Sequence, residues 1–534
     1  MQKLSVVSLA ALVVAVQLAC SATSHGQDGP RTATPIKHVV VIFGENISFD
    51  HYFGTYPKAL NPKGDPQFVA LSGTPTVNGL TDALIKRNPN FLSKSGNGSG
   101  AKNPFRLART QASTADQDHS YTSEQRAFHA GLMDAFPEYT GAPGPPPSEA
   151  KSKGLVMGYY DGNTVTALWN YAQRYAMNDN SFGTTFGPST IGAINLISGQ
   201  TNGVSDEIDA SGNLISGGNG TWTLIDDVNP VGDVCSNTAG AQVHFTGKNI
   251  GDLLNAHGVT WGWFEGGFDL SLKNANGTTG CARSTTSQVT KVRLTDYLPH
   301  HEPFQYYTAT SNQKHMRPSS TRMIGHDGDA ANHQYDMHDF YAAVRAGNMP
   351  AVSFLKAPAY QDAHAGYSDP LDEQTFIVNT INFLEKEPQW SSTAVIIAYD
   401  DSDGWYDHQM GPIVNQSTTA ADMLTGTGEC GDGRTSLAGP HTLHAQGRCG
   451  YGPRLPLLVI SPYARRNFVD HAITDQTSII RFVEDNWLGG QRIGDGSFDA
   501  IAGSLDGMFN FNKPHNTGLY LLNPSTGEIV TNIH

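Results

Sequence analysis

"AVIIAYDDSDGWYDH", residues 394–408, runs six apolar or aromatic residues straight into Asp400 and Asp401, with Asp403, Asp407 and His408 close behind. An apolar run of that length with no alternation reads as a strand buried on both faces, as in a mostly parallel sheet. Two carboxylates side by side at its end raise one another's pKa and repel unless a cation or a proton is shared. The stretch therefore predicts a metal ion at the end of a buried strand.

Outward from it, similar β-branched runs recur: "HVVVIF" (38–43), "TWGWFEG" (260–266), "AVSFL" (351–355) and "LPLLVIS" (455–461). The segments between them are long enough for helices, with candidates at 163–176, 190–198, 246–256, 333–346, 371–386 and 474–487. The fifth carries Phe376, Ile377, Ile381 and Leu384 at helical spacing. Buried strands alternating with helices predict an α/β/α sandwich around a mostly parallel central sheet. "TGAPGPPPSEAKSKG" (140–154) and the Gly/Ser/Asn-rich 203–222 can bury little and read as surface loops or an insertion.

The chain has 534 residues, 38% of them hydrophobic and 16% charged, with 57 Gly and 29 Pro, which fits a loop-rich globular protein and excludes a disordered or coiled-coil one. A net charge of −15 argues against nucleic acid as partner. "MQKLSVVSLAALVVAVQLACSATSHG" reads as a secretion signal over 1–22, its apolar core being short for a membrane span. The expected location is thus secreted or periplasmic, with no transmembrane span. "QLAC" (17–20) resembles a lipoprotein box with Gln17 where Leu is expected, so lipidation of Cys20 is an alternative to plain cleavage. Without Cys20, an even number of cysteines remains in an oxidising compartment, and sequence-near pairing gives Cys235–Cys281 and Cys430–Cys449.

"HVVVIFGEN" ends in Glu45 and Asn46 much as "AVIIAYDD" ends in Asp400 and Asp401. Carboxylates with an amide oxygen suit a hard cation, although each pair alone could equally start a turn or cap a helix. An EF-hand is excluded, because Met410 stands where its terminal Glu belongs. In "NDNSFGTTFGPSTIGAINLISGQT" (178–201), Gly-Pro followed by Ser189 and an apolar stretch puts a hydroxyl at a helix N-terminus, where it can cap or attack. A bound cation would activate Ser189 without a general base. No G-x-S-x-G, Walker loop or H-E-x-x-H occurs.

Five motifs in order, "HVVVIFGENISFDHYFGTYP", "DHSYTSEQRAFHAG", "FGPSTIGAINLISGQ", "HAGYSDPLDEQTFIVNTINFLE" and "IIAYDDSDGWYDHQ", resemble the bacterial phosphoesterase family of phosphatidylcholine-type phospholipases C and their shorter acid-phosphatase relatives. That family looks like a branch of the alkaline phosphatase superfamily, and the resemblance covers about Ile36 to Phe511. It implies an alkaline phosphatase-like fold, a single phosphoesterase domain over 35–534, and insertions around 200–290 and 412–452. Glu45, Asn46, Asp400 and Asp401 match its ligands for one divalent metal ion, with calcium, magnesium, manganese, iron and zinc all open. Ser189 matches its nucleophile and completes the ligand set.

His119, His301 and His364 are similar to residues that bind phosphate or protonate the leaving group, with His300 as rival to His301. His129 stands where many phospholipase relatives carry Asn, Trp405-Tyr406 replaces their Gly-Phe-Phe, and the C-terminal extension of many of them is missing. The resemblance thus implies a secreted, metal-dependent acid phosphatase that hydrolyses phosphate monoesters through a phosphoserine. Cationic histidines would favour acidic pH. The alternatives are a phospholipase C acting on a phospholipid head group, with Trp261, Trp263, Tyr306, Tyr307, Trp405 and Tyr406 as candidates for a choline cage, and a secreted metal-binding protein without catalysis. Oligomeric state is left open.

Overall fold

The computed structural model describes residues 31–145, 151–218, 220–433 and 445–530. The expected leader and Cys20 lie outside them. No helix among the described residues is long and apolar enough to cross a membrane.

A central sheet of eight strands organises the chain. In sequence order they are β1 (His38–Gly44), β2 (Ala176–Asn178), β3 (Trp261–Glu265), β4 (Gln334–Asp336), β5 (Val352–Lys356), β6 (Thr393–Tyr399), β7 (Leu457–Ile460) and β8 (Phe468–Asp470). Their spatial order is β4-β3-β5-β1-β6-β7-β2-β8. Only β7 runs against its neighbours, and every other pairing is parallel. All seven residues of β6, and all of β1 except His38, are buried. That is why these runs show no alternation, since each fully buried Val or Ile contributes about 1.5–3 kcal/mol whichever face it is on.

The sheet is the middle layer of an α/β/α sandwich. Its principal helices are α1 (Tyr121–Phe128), α2 (Thr166–Arg174), α3 (Ser189–Ser198), α4 (Ile250–Ala256), α5 (Met337–Arg345), α6 (Pro370–Leu384) and α7 (Thr477–Trp487). Helix α3 packs against α4 and α7, whereas α2 packs against α6. Each of the five strand runs and six helical windows read from the sequence holds one of these elements.

The stretch after α3 builds a small sheet from Val204–Ile208, Asn229–Pro230 and Gln242–Phe245, plus a hairpin of Leu214–Gly218 with Thr221–Leu224. The chain then rejoins the central sheet at β3. Both expected disulfides are present, Cys235–Cys281 with Cα atoms 5.3 Å apart and Cys430–Cys449 at 5.9 Å.

Arg454 ties together the loops that follow β1 and β6. Its buried guanidinium lies 3.1 Å from both Asp50 Oδ1 and Asp407 Oδ2, donates to the carbonyls of Asn78 and Asp179, and rests on the Phe49 ring at 4.4 Å. Arg454→Met leaves the buried Asp407 without its cationic partner, while Asp50 keeps His408 Nδ1 at 2.6 Å, and the loss costs about 3–5 kcal/mol. A fall in the thermal unfolding midpoint checks it.

Candidate active site

Four neighbouring parallel strands end on one edge of the sheet. The pairings Glu265↔Lys356, Ile42↔Leu355 and Gly44↔Tyr399 bring Glu265, Lys356, Glu45-Asn46 and Asp400-Asp401 to the same level. Carboxyl ends of parallel strands are where such sheets hold ligands. Hydrogen bonds extend the β1/β6 ladder beyond the strands: Asn46 N donates to Asp400 Oδ1 at 2.9 Å, and Ile47 N to the Asp401 carbonyl at 2.9 Å. Asn46 holds φ +53°, a left-handed conformation that Asn tolerates better than most residues.

Ser189 does not cap its helix. Pro188 holds the N-cap position of α3 and Ser189 the first helical one. Its Oγ instead meets Glu45 Oε2 at 2.9 Å, Asp401 Oδ2 at 3.2 Å and Asn46 Oδ1 at 3.3 Å. Every residue of α3 is buried. Gly192 permits the close approach, because a Cβ there would fall 2.2 Å from the Asp400 carbonyl oxygen. Gly187, at φ +122°, makes the turn into the helix.

The oxygens of these residues fit a metal ion. Burial first, then repulsion from Glu45, pushes Asp400 well above the usual carboxylate range. Burial does the same to Asp401 and lifts Glu45 to about 7. Asp400 Oδ2 is buried without a hydrogen-bond partner. With its oxygen inward, Asn46 adds a third side-chain acceptor around the serine hydroxyl, beside Glu45 Oε2 and Asp401 Oδ2. Turned over, its nitrogen would donate to Glu45 Oε2 at 2.6 Å and Asp400 Oδ1 at 3.1 Å, while its oxygen would face His364 Nε2 at 3.2 Å, a hydrogen bond only when that ring is protonated at both nitrogens. The first orientation suits a bound cation and the second a cation-free site. Such an all-oxygen set favours hard divalent ions. No helix begins at Asp400-Asp401, which removes the capping alternative.

The histidines divide in their surroundings. Burial alone would lower His119, but Asp401 and the hydrogen-bonded Asp403 hold it well above the usual imidazole range. Its ring lies 5.9 Å from that of His364. Burial carries His364 down to about 4, and its Nδ1 donates to the Ala365 carbonyl at 2.5 Å, leaving Nε2 facing Asn46. His301 is likewise pushed well down by burial, with Nδ1 3.4 Å from Glu45 Oε1. His300, also lowered by burial, is the less buried of the pair, its ring 4.3 Å from that of His301.

Sequence reasoning passed over Lys356, Glu124, Asp227 and Asp403. Lys356 is the last residue of β5, one position beyond the run "AVSFL", so its place at a strand end was readable. Glu124, on α1, accepts from Ser402 Oγ at 2.6 Å and Gly187 N at 3.3 Å, clamping the Ser189 turn to the loop after β6. Asp227 accepts from Thr190 N at 2.8 Å. Nothing in local sequence marks Glu124 or Asp227, whereas Asp403 stands in the acidic stretch after β6 and only its role on His119 was hidden. Asp403→Asn removes the carboxylate that keeps His119 protonated, so the pKa of His119 falls and the alkaline limb of any His119-dependent activity moves to lower pH. A pH–rate profile of the variant checks it.

The Phosphoesterase family profile matches residues 36–488, and the chain belongs to that family. It is 24% identical over 525 residues to the non-hemolytic phospholipase C of Pseudomonas aeruginosa, covering 96% of this chain and 62% of the relative. Phospholipase C A of Mycobacterium tuberculosis is 22% identical over 510 residues, 91% of this chain and 80% of that protein. Among solved structures, a mutant of the alkaline phosphatase PafA aligns over 64% of this chain and 94% of its own at 10% identity and a TM-score of 0.31. The fold assignment rests on the sheet order described above.

Proposed function

We propose that the protein is a secreted or periplasmic phosphoric monoester hydrolase, one domain spanning 35–534, that works at acidic pH through a phosphoserine at Ser189. The observation that carries this reading is the placement of Ser189 Oγ within 2.9–3.3 Å of three oxygens of the cation cluster instead of on its own helix cap. A divalent cation held by Glu45, Asn46, Asp400 and Asp401 would lower the pKa of the Ser189 hydroxyl and offset phosphoryl charge.

Ser189 Oγ, its proton passing to Glu45 Oε2 at 2.9 Å, attacks phosphorus in line with the departing alkoxide, which takes a proton from His119. The P–O bond to the leaving group breaks as the bond to Ser189 forms. Water then attacks the phosphoserine, Ser189 leaves with a proton, and inorganic phosphate is released. Imidazole that is neutral above about pH 4, as in His364, gains its proton as the pH falls or as a phosphate dianion approaches, so acid strengthens phosphoryl binding.

Monoesters are favoured over choline diesters because all six candidate cage aromatics, Trp261, Trp263, Tyr306, Tyr307, Trp405 and Tyr406, are buried in the core. Trp405, for example, stacks on His51 with centroids 4.0 Å apart. The phospholipase C reading is supported by the names of the relatives and by Asp227, whose charge beside the Ser189 helix would attract a cationic head group. Parallel assays of p-nitrophenyl phosphate and p-nitrophenyl phosphorylcholine across acidic to neutral pH separate the two. Faster monoester cleavage at acid pH is expected. Preference for the diester would replace the reading with a phospholipase C, and silence of metal-loaded protein on both would leave a metal-binding protein.

A further inference from the structure

Lys356 stands out as a fully buried lysine in the acidic cluster. Its ammonium pairs with Glu45 Oε1 and lies 3.8 Å from Asp400 Oδ2, with both partners as deeply buried as the lysine itself. His301 Nδ1 is 3.4 Å from the same Glu45 oxygen, and ligand atoms of Glu45, His301 and Asp362 all lie within 4.8 Å of one another. Two carboxylates and an imidazole that converge in this way suit a divalent ion. Asp400 Oδ2, buried and without a hydrogen-bond partner, borders them, 3.8 Å from the Lys356 ammonium.

Glu45 divides its oxygens between two compartments. Oε2 lies 2.9 Å from Ser189 Oγ, among the proposed ligands of the first ion, and Oε1 faces Lys356 and His301. One carboxylate serving two adjacent cation positions is the bridging arrangement of two-metal phosphatases, whose ions sit about 3.5–4 Å apart. Here the second position holds an ammonium fixed by the protein. Its stem leaves β5 beside β1, with Nζ 5.3 Å from the Phe43 ring centroid, so it reaches the compartment from the sheet itself.

We propose that the Lys356 ammonium takes the place of a second divalent ion, in a compartment built by Glu45, Asp362, Asp400 and His301, and that this lysine holds the centre to one metal. The inference rests on the reading of Glu45, Asn46, Asp400, Asp401 and Ser189 as ligands of the first ion. Lysine adds one positive charge where a metal would add two, and a tethered ammonium cannot dissociate into the solvent. Removing it leaves an uncompensated acidic compartment, which a small divalent ion relieves.

The test counts metal. Wild type, Lys356→Ala and the charge-keeping Lys356→Arg are loaded with excess Mn²⁺, freed of unbound ion, and measured by inductively coupled plasma and native mass spectrometry. One equivalent is expected for wild type and Lys356→Arg, and two for Lys356→Ala. The electron paramagnetic resonance signal of Lys356→Ala should also show the magnetic coupling of two Mn²⁺ ions bridged by one carboxylate. If Lys356→Ala is recovered only by refolding with Mn²⁺ present, the same count is made on the refolded protein. Two equivalents in wild type, one in folded Lys356→Ala, or a variant that no metal refolds each overturns the inference. No bound metal in wild type would instead overturn the first-ion reading on which it stands.

Discussion

Ser189→Ala is expected to lower kcat/KM by about four orders of magnitude or more while the protein stays folded and keeps its metal. The size follows from the geometry. Among the described residues, Ser189 Oγ is the hydroxyl placed 2.9–3.3 Å from Glu45, Asn46 and Asp401, where a cation held by those oxygens would activate it. The fold should survive because the hydroxyl caps no helix, and alanine at the first helical position of α3 is a good helix former. Steady-state kinetics of a variant with wild-type circular dichroism and metal content checks it. Near-normal turnover would remove Ser189 from the chemistry.

The second large effect concerns the metal. Chelation should abolish activity and its return should restore it, whereas Asp401→Asn should weaken metal affinity at least about a hundredfold, since losing even a residue that supports a ligand commonly costs 10–100-fold. Stability reports this independently of turnover. At a metal concentration about a hundred times its Kd, wild type gains ~2.7 kcal/mol, and a variant binding a hundredfold more weakly gains only ~0.4 kcal/mol. Thermal unfolding with and without metal reads the difference. Equal metal-induced stabilisation of both proteins would show that Asp401 does not hold the ion.

What the sequence made legible and what it hid have physical reasons. β1 and β6 were readable because strands covered on both faces must be apolar throughout, and α6 because one of its stripes packs inward. β2, β4 and β8 were not, since each spans three residues and β4 is "QYD", a segment held in place by its neighbours and not by its own composition. In the site, adjacency revealed Asp400-Asp401 and Glu45-Asn46, because like charges placed side by side demand an explanation along the chain. Lys356, Asp403 and Glu124 act through partners hundreds of residues away, Lys356 on Glu45 and Glu124 on Ser402, and only the folded sheet brings them together. Charge states were the least legible. His119 and His364 look alike in sequence, yet Asp401 and Asp403 hold one high while burial takes the other down to about 4.

The central claim, a covalent phosphoserine, is tested most directly by the stereochemistry of phosphoryl transfer. A phosphate monoester made chiral at phosphorus with oxygen isotopes is turned over in the presence of an acceptor alcohol, and the configuration of the transferred group is read by phosphorus NMR. Two successive in-line displacements, onto Ser189 and off it, predict net retention. Net inversion would mean a single direct attack and would contradict the account.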